Sequence, residues 1–211
     1  MKVKSVVGKI SKVLGISLIL GIMLPSIVSA EVREGKGHWS IAPKLIAFFP
    51  NSDSNGLNNY STGVGIGVDG RYNFLDYFAL AAELDYIGVS SATNVRYGPT
   101  SVNANFSDLA IKIDALGTIP LGKITPFFGL GLVYNNPSIS VSGGGSSASY
   151  SGSGVGLEIV GGADFVVTEN GAITAEISIP ISQTATFSVN GSNTNDNVGG
   201  YELMAGYRFF F

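Results

Sequence analysis

Carboxylates and bases recur in this chain at intervals of two: Asp69 with Arg71, Glu83 with Asp85, Lys112 with Asp114. Two carboxylates held side by side can share general acid and base work, and a carboxylate beside a base can orient it or raise its reactivity. The same residue types also build ion-pair networks that do no chemistry. Several features favour the second reading. The only histidine is His38, and there is no cysteine, so a thiol nucleophile, a thiolate metal site and a disulfide framework are all excluded. The runs Gly63-x-Gly65-x-Gly67 and Gly129-x-Gly131 lack the Gly-x-x-x-x-Gly-Lys spacing of a phosphate loop. The sequence therefore predicts no catalytic residue, no cofactor-binding residue and no metal site.

The elements that carry these charges alternate. In "TGVGIGVDGRYNF", residues 62–74, Val64, Ile66, Val68, Tyr72 and Phe74 share one face of an extended strand with Gly70, while the other face holds glycine, Asp69, Arg71 and Asn73. Seven further segments repeat this: "HWSIAPKLIAFF", "FALAAELDYIG", "DLAIKIDALGTI", "TPFFGLGLVY", "GVGLEIVGGADFV", "AITAEISIPIS" and "GYELMAGYRFFF". Each is about 9 to 12 residues, the length of a tilted strand crossing a hydrocarbon core. Polar faces collect Lys44, Asp69, Arg71, Glu83, Asp85, Asp108, Lys112, Asp114, Glu158, Asp164, Glu176, Glu202 and Arg208.

The first thirty residues stand apart. Lys2, Lys4, Lys9 and Lys12 precede the apolar run Val13 to Leu24, and Val28-Ser29-Ala30 supplies a small-residue cleavage site, so residues 1–30 read as a signal peptide and 31–211 as the mature domain. Removing four of the twelve Lys and Arg and none of the fifteen Asp and Glu leaves 8 minus 15, a formal charge of −7. A chain this acidic is not expected to bind nucleic acid. Mean hydropathy is positive although the mature part has no apolar run of helical membrane length; the oil is spread at period two.

Which way the oily face points follows from the company the charges keep. Glycine and alanine crowd the charged face, as they would where side chains converge inside a narrow closed barrel, and a solvated surface would carry more Lys and Glu. Connections alternate between short ("NFLDY", "PLGK", "ENG") and long, polar ones such as "NNPSISVSGGGSSASYSGS", whose Ser/Asn/Gly composition predicts mobile external loops. The expected fold is all-β, an eight-stranded antiparallel up-and-down transmembrane β-barrel with four polar external loops and both termini on the short-turn side. Aromatic residues Trp39, Tyr72, Phe74, Tyr77, Phe128, Tyr134, Tyr207, Phe209 and Phe211 cluster toward strand ends as interfacial girdles. Nine acids against four bases require Arg71, Lys112 and Arg208, all expected near the short-turn end, each to serve several carboxylates. The hairpin at Glu169-Asn170-Gly171 is expected to be a three-residue loop with Gly171 left-handed. That register sets Asp164 opposite Glu176, with Arg208 between them.

With "TPFFGLGLVY", "GGADFVV" and the terminal "GYRFFF" on the page, the chain resembles the small eight-stranded outer-membrane β-barrels of Gram-negative bacteria, the OmpA-like and OmpX-like proteins grouped as the outer membrane protein beta-barrel domain. The resemblance spans the mature chain. It implies that Gly206, Phe209 and Phe211 form a C-terminal assembly signal read by the barrel-assembly machinery, with Met204 departing from a usual polar position. It also implies contact with outer-membrane lipid and lipopolysaccharide. No peptidoglycan-binding domain is expected after Phe211. The expected role is structural or surface-interacting and non-enzymatic, in a monomer, with a narrow channel for small solutes, OmpW-like or a minor porin, as the alternative. Some small barrels are acyltransferases or proteases with a histidine at the external rim, whereas His38 begins the first strand at the opposite end.

Overall fold

The computed structural model describes residues 37–51, 60–97, 100–143, 146–189 and 192–211. The segment read as a signal peptide lies outside the described residues. The strands are β1 (His38–Pro50), β2 (Gly63–Leu75), β3 (Phe78–Tyr97), β4 (Thr100–Thr118), β5 (Ile124–Gly143), β6 (Ser146–Thr168), β7 (Gly171–Val189), β8 (Ser192–Asn197) and β9 (Gly200–Phe210). Each pairs antiparallel with its chain neighbour, apart from the β8–β9 step. β8 pairs with the upper part of β7 and β9 with the lower part, so these two consecutive strands together form the eighth wall. β1 closes the ring against β9, from Ser40 opposite Phe210 to Pro50 opposite Gly200. The pairing of β1 with β9 joins the first and last walls, so the sheet closes on itself there.

Alternation became a wall with two chemistries because successive Cβ atoms point to opposite faces. Leu45, Ile66, Ile113, Leu130, Leu132 and Val155 are exposed on the outside, while every one of the thirteen ionisable residues gathered on the polar faces is buried inside. The girdle residues pack on one another: Trp39 of β1 lies 4.6 Å by ring centroid from Tyr72 of β2, and Tyr207 lies 4.8 Å from Phe209 along β9. Phe74 lies 6.3 Å from Phe78, which joins this rim.

Three expectations need correction. First, the segments read as long loops after the third, fifth and seventh barrel strands are mostly continued β-hairpins. β5 and β6 stay paired from Asn135 opposite Gly154 out to Gly143 opposite Ser146, and β7 with β8 from Thr184 opposite Asn197 to Val189 opposite Ser192. These extensions persist because Phe106 and Ile139 turn inward and pack with Phe48 and Ile87, and Tyr150 and Phe187 pack with Ala185 and Val198 beside Ile139. Strands accordingly run as long as 23 residues in β6.

Second, the turn between β6 and β7 is tighter than expected. Thr168 pairs with Gly171, leaving Glu169-Asn170 as a two-residue turn, and a bulge at Val167 restores the face alternation. Asp164 therefore faces Thr174, and Glu176 faces Gly162. Gly171 is not left-handed; positive φ is confined to Gly37 and Gly122 among the described glycines. Its missing Cβ makes room for the Tyr207 side chain, whose ring and hydroxyl occupy that space. Third, Lys112 is mid-strand, opposite Glu83 and Val133, and not near the short turns.

Glycines inside the strands divide by what surrounds them. A Cβ at Gly206 would run into the Pro43 carbonyl oxygen and the Lys44 side chain at the β1–β9 seam, whereas one at Gly70 would meet nothing. Gly206→Val is expected to destabilise the barrel by about 1–3 kcal/mol through overpacking. Gly70→Ala should stay within about 0.5 kcal/mol of the parent. Urea unfolding of both variants in lipid vesicles measures the difference.

Candidate functional site

Among the described residues, the reactive side chains concentrate in the lumen, which is layered. Toward the short-turn end Ala79, Ala81, Leu116, Phe127 and Val160 form an apolar floor on one side of the lumen, from β3 to β6. At the other end Phe48, Ile87 and Phe106 pack with Tyr60 and Ile139, and Ala185, Phe187 and Val198 pack beside them, as an apolar roof. The ion pairs lie below the roof, and those of Arg71, Asp164 and Arg208 share the short-turn level with the floor residues, Arg71 standing opposite Ala81 and over the Phe127 ring. Sequence reasoning missed both apolar layers, since the inward positions of Leu116, Phe127 and Val160 belong to strands whose outward faces are apolar too. The detectable signal was a break in alternation: "LEIVGGADFVV" has apolar residues on both parities.

Four cations pair with seven of the nine lumen carboxylates, all but Asp108 and Asp114. Arg208 makes a bidentate pair with Asp69, Nη1 to Oδ1 and Nη2 to Oδ2, both at 2.8 Å, and its Nε donates to Asp164 at 3.1 Å. Arg71 Nη1 donates to the other oxygen of Asp164 at 2.8 Å, and its guanidinium sits 4.3 Å over the Phe127 ring. Lys44 Nζ donates to Glu83 at 2.6 Å and to Glu176 at 3.3 Å, with Asp69 at 3.7 Å. Lys112 Nζ reaches Glu202 at 2.5 Å, Asp85 at 2.9 Å and Glu158 at 3.7 Å. Each cation thus bridges walls that are remote in sequence. Glu158 also accepts from the Ser178 hydroxyl, and Asp108 accepts from the Asn136 amide at 3.0 Å.

The expected meeting of Asp164 and Glu176 across Arg208 does not occur. Arg208 does reach Asp164, but Glu176 is taken by Lys44 because the bulge at Val167 shifts the register between their strands. Lys44, absent from the bases expected to serve several carboxylates, is the most branched of the lower pairs.

Asp69, Glu83 and Glu176 bring one oxygen each within 4.8 Å of one another, a spacing that a metal ion could use. The ammonium of Lys44 contacts all three and supplies the cation there. Glu83 Oε1, Asp85 Oδ1, Asp114 Oδ1 and Glu158 Oε1 accept no hydrogen bond from the protein, the residue of an excess of acids over bases. Glu83 and Asp85, the nearest pair for two-carboxylate chemistry, are walled in on one strand by Lys44 and Lys112. His38 lies at the short-turn rim, where its Nδ1 is 3.2 Å from a backbone oxygen of Phe211.

A closed antiparallel ring with an oily exterior, aromatic rims and an ionic interior defines a membrane β-barrel of the bacterial outer-membrane type. The chain belongs to the family described as outer membrane protein beta-barrel domain, whose profile matches residues 17–209. That family is one of Gram-negative outer-membrane barrels. No relative among curated proteins matches the chain. Among solved structures it is similar to OprG of Pseudomonas aeruginosa, at 15% identity over 84% of this chain and 98% of that one, with a TM-score of 0.58. It is similar also to a major outer membrane protein of Thermus thermophilus, at 12% identity over 82% and 99% and a TM-score of 0.53. Neisserial surface protein A matches at 19% identity over 83% and 100%, with a TM-score of 0.51. At these identities the likeness is one of fold.

Proposed function

We propose that this protein acts as a closed outer-membrane barrel whose role is structural or surface-interacting, carried by the hairpins that project from it and not by passage through its lumen. The observation that supports this is the filled cross-section: beneath an apolar roof, ion pairs such as Lys112–Glu202 and, at the short-turn end beside an apolar cluster, Arg71–Asp164 span the lumen. An eight-stranded ring has an interior only wide enough for its own side chains. Exposed Ser140, Ser149, Thr186 and Asn195 on the projecting hairpins offer neutral hydrogen-bonding groups, with Ser140 and Ser149 paired at 3.0 Å and Thr186 with Asn195 at 2.8 Å. Such a surface suits contact with saccharide or protein partners more than with ions.

The same proposal includes export with cleavage after Ala30, insertion by the barrel-assembly machinery through Gly206, Phe209 and Phe211, residence among outer-membrane lipid and lipopolysaccharide, and a monomeric, non-enzymatic state. Phe209 and Phe211 are exposed at the floor end, where an assembly factor could reach them. The test uses protein purified from outer membranes, expected to begin at Glu31, to migrate as a monomer and to shift in gel mobility on boiling. In planar bilayers it is expected to give no stable single-channel steps. Sizeable, reproducible steps would defeat the closed reading in favour of a narrow solute channel.

A further inference from the structure

Nine buried carboxylates face four buried cations, and nine minus four leaves five negative charges without a base. Uncompensated charge in a dry interior is costly, and a carboxylate sheds that cost by taking up a proton. Contact decides where. Glu83 and Asp85 lie two apart on β3 and turn to the same side of the wall, fully buried. Their side chains stand within hydrogen-bond range of each other. Glu83 Oε1 and Asp85 Oδ1 accept nothing from any nitrogen or hydroxyl of the described residues. The other two oxygens face ammonium groups, Lys44 at 2.6 Å from Glu83 Oε2 and Lys112 at 2.9 Å from Asp85 Oδ2. Gly67, opposite Asp85 on β2, makes room for this arrangement, since a Cβ there would run into Asp85 Oδ1.

We propose that Glu83 and Asp85 share a single proton, and that this proton latches together two halves of the ion-pair network. Two ionised carboxylates in contact repel, whereas a carboxylic acid beside a carboxylate forms one strong O–H···O hydrogen bond. One half gathers on Lys44 with Asp69 and Glu176, the other on Lys112 with Glu202 and Glu158. Glu83 belongs to the first and Asp85 to the second, so the proton between them joins the two, and it belongs to the pair and not to either residue. The charged groups that face the pair are Lys44 from β1, Asp69 from β2, Lys112 and Asp114 from β4, Glu158 from β6, Glu176 from β7 and Glu202 from β9. Five of these seven are acids, which resist a further negative charge in their midst. In the unfolded chain both carboxylates are solvated and ionised at neutral pH, so unfolding releases the proton and stability falls as pH rises. The latch goes beyond the closed-barrel reading, because a proton held between two side chains is independent of whether the lumen conducts.

The test uses the whole barrel reconstituted in lipid vesicles. Infrared spectra in heavy water are expected to show the C=O absorption of a protonated carboxyl in the unmodified protein, and Asp85→Asn and Glu83→Gln are each expected to remove one carboxyl's share of it. Both variants are nearly isosteric, and the amide still donates an N–H to the neighbouring carboxylate, so the latch closes without a proton. Urea unfolding from neutral to alkaline pH reads the same proton independently. The unfolding constant of the parent should climb about tenfold per pH unit more steeply than that of Asp85→Asn, the effect of one proton released. No carboxyl absorption in the unmodified barrel would overturn the proposal without any substitution and leave a water as the bridge. Absorption that survives both variants in full, or equal pH slopes in the parent and Asp85→Asn, would overturn it as well.

Discussion

Lys112→Met is expected to lower the unfolding free energy by about 3–5 kcal/mol, the loss found when one partner of a buried ion pair is removed. Lys112 is 1% exposed and faces Glu202, Asp85 and Glu158 at 2.5, 2.9 and 3.7 Å. Methionine preserves most of the side chain's length and bulk, so the effect isolates the charge. Without the ammonium, Glu158 keeps the Ser178 hydroxyl while Glu202 and Asp85 lose their ammonium partner. Against a total stability of order 5–15 kcal/mol, such a loss is a large fraction of the whole. The midpoint of urea unfolding in vesicles measures it, provided the slope stays constant. Adding Glu202→Gln to Lys112→Met should recover part of the loss, because it removes one of the stranded charges. A loss under about 1 kcal/mol would mean that water, not Lys112, satisfies these acids.

The second large effect belongs to the outer face. Leu132 is exposed on β5 between Phe128 and Tyr134, midway along the oily band between the aromatic rims. In a soluble barrel, Leu132→Arg would cost almost nothing. In a bilayer, arginine at mid-depth on the lipid face costs about 2–4 kcal/mol and grows cheaper toward the interfaces. Ser140→Arg, on the projecting part of the same strand, is the control and should cost less than about 0.5 kcal/mol. Equal midpoints for the two variants in vesicle unfolding would contradict a lipid-facing Leu132.

What the residues revealed, and what they withheld, divides along physical lines. Side-chain period is local, so the two faces of β2, with Ile66 outside and Asp69 inside, were legible from "GVGIGVDGRYNF" alone. Pairing partners are not local. Requiring Asp164 and Glu176 to share a face fixes only the parity of the β6–β7 register, and the expected register, which set 168 against 172, and the observed one, which sets 166 against 172, satisfy it equally. The choice is made by a bulge at Val167, which no residue type announces. Likewise Ser and Asn say little about whether a segment is loop or strand; the inward Phe106, Ile139 and Phe187 that hold the projecting hairpins were visible, but their meeting depends on barrel closure. Lys44 was placed in the lumen from its strand, while its role as partner to Asp69, Glu83 and Glu176 needed three other walls.

Beneath all of this is one arrangement, with acyl chains outside the wall and ion pairs within it. Transfer of magnetisation from lipid acyl-chain protons to protein methyl groups, in the unmodified protein reconstituted in bilayers, tests it without substitution. Val64, Ile66, Leu130 and Leu132 should receive strong transfer, and Leu116, Val133, Val160 and Met204, which turn inward on the same kind of strand, should receive none. Strong transfer to Leu116, Val133 and Val160, with none to Ile66 and Leu132, would contradict the account outright.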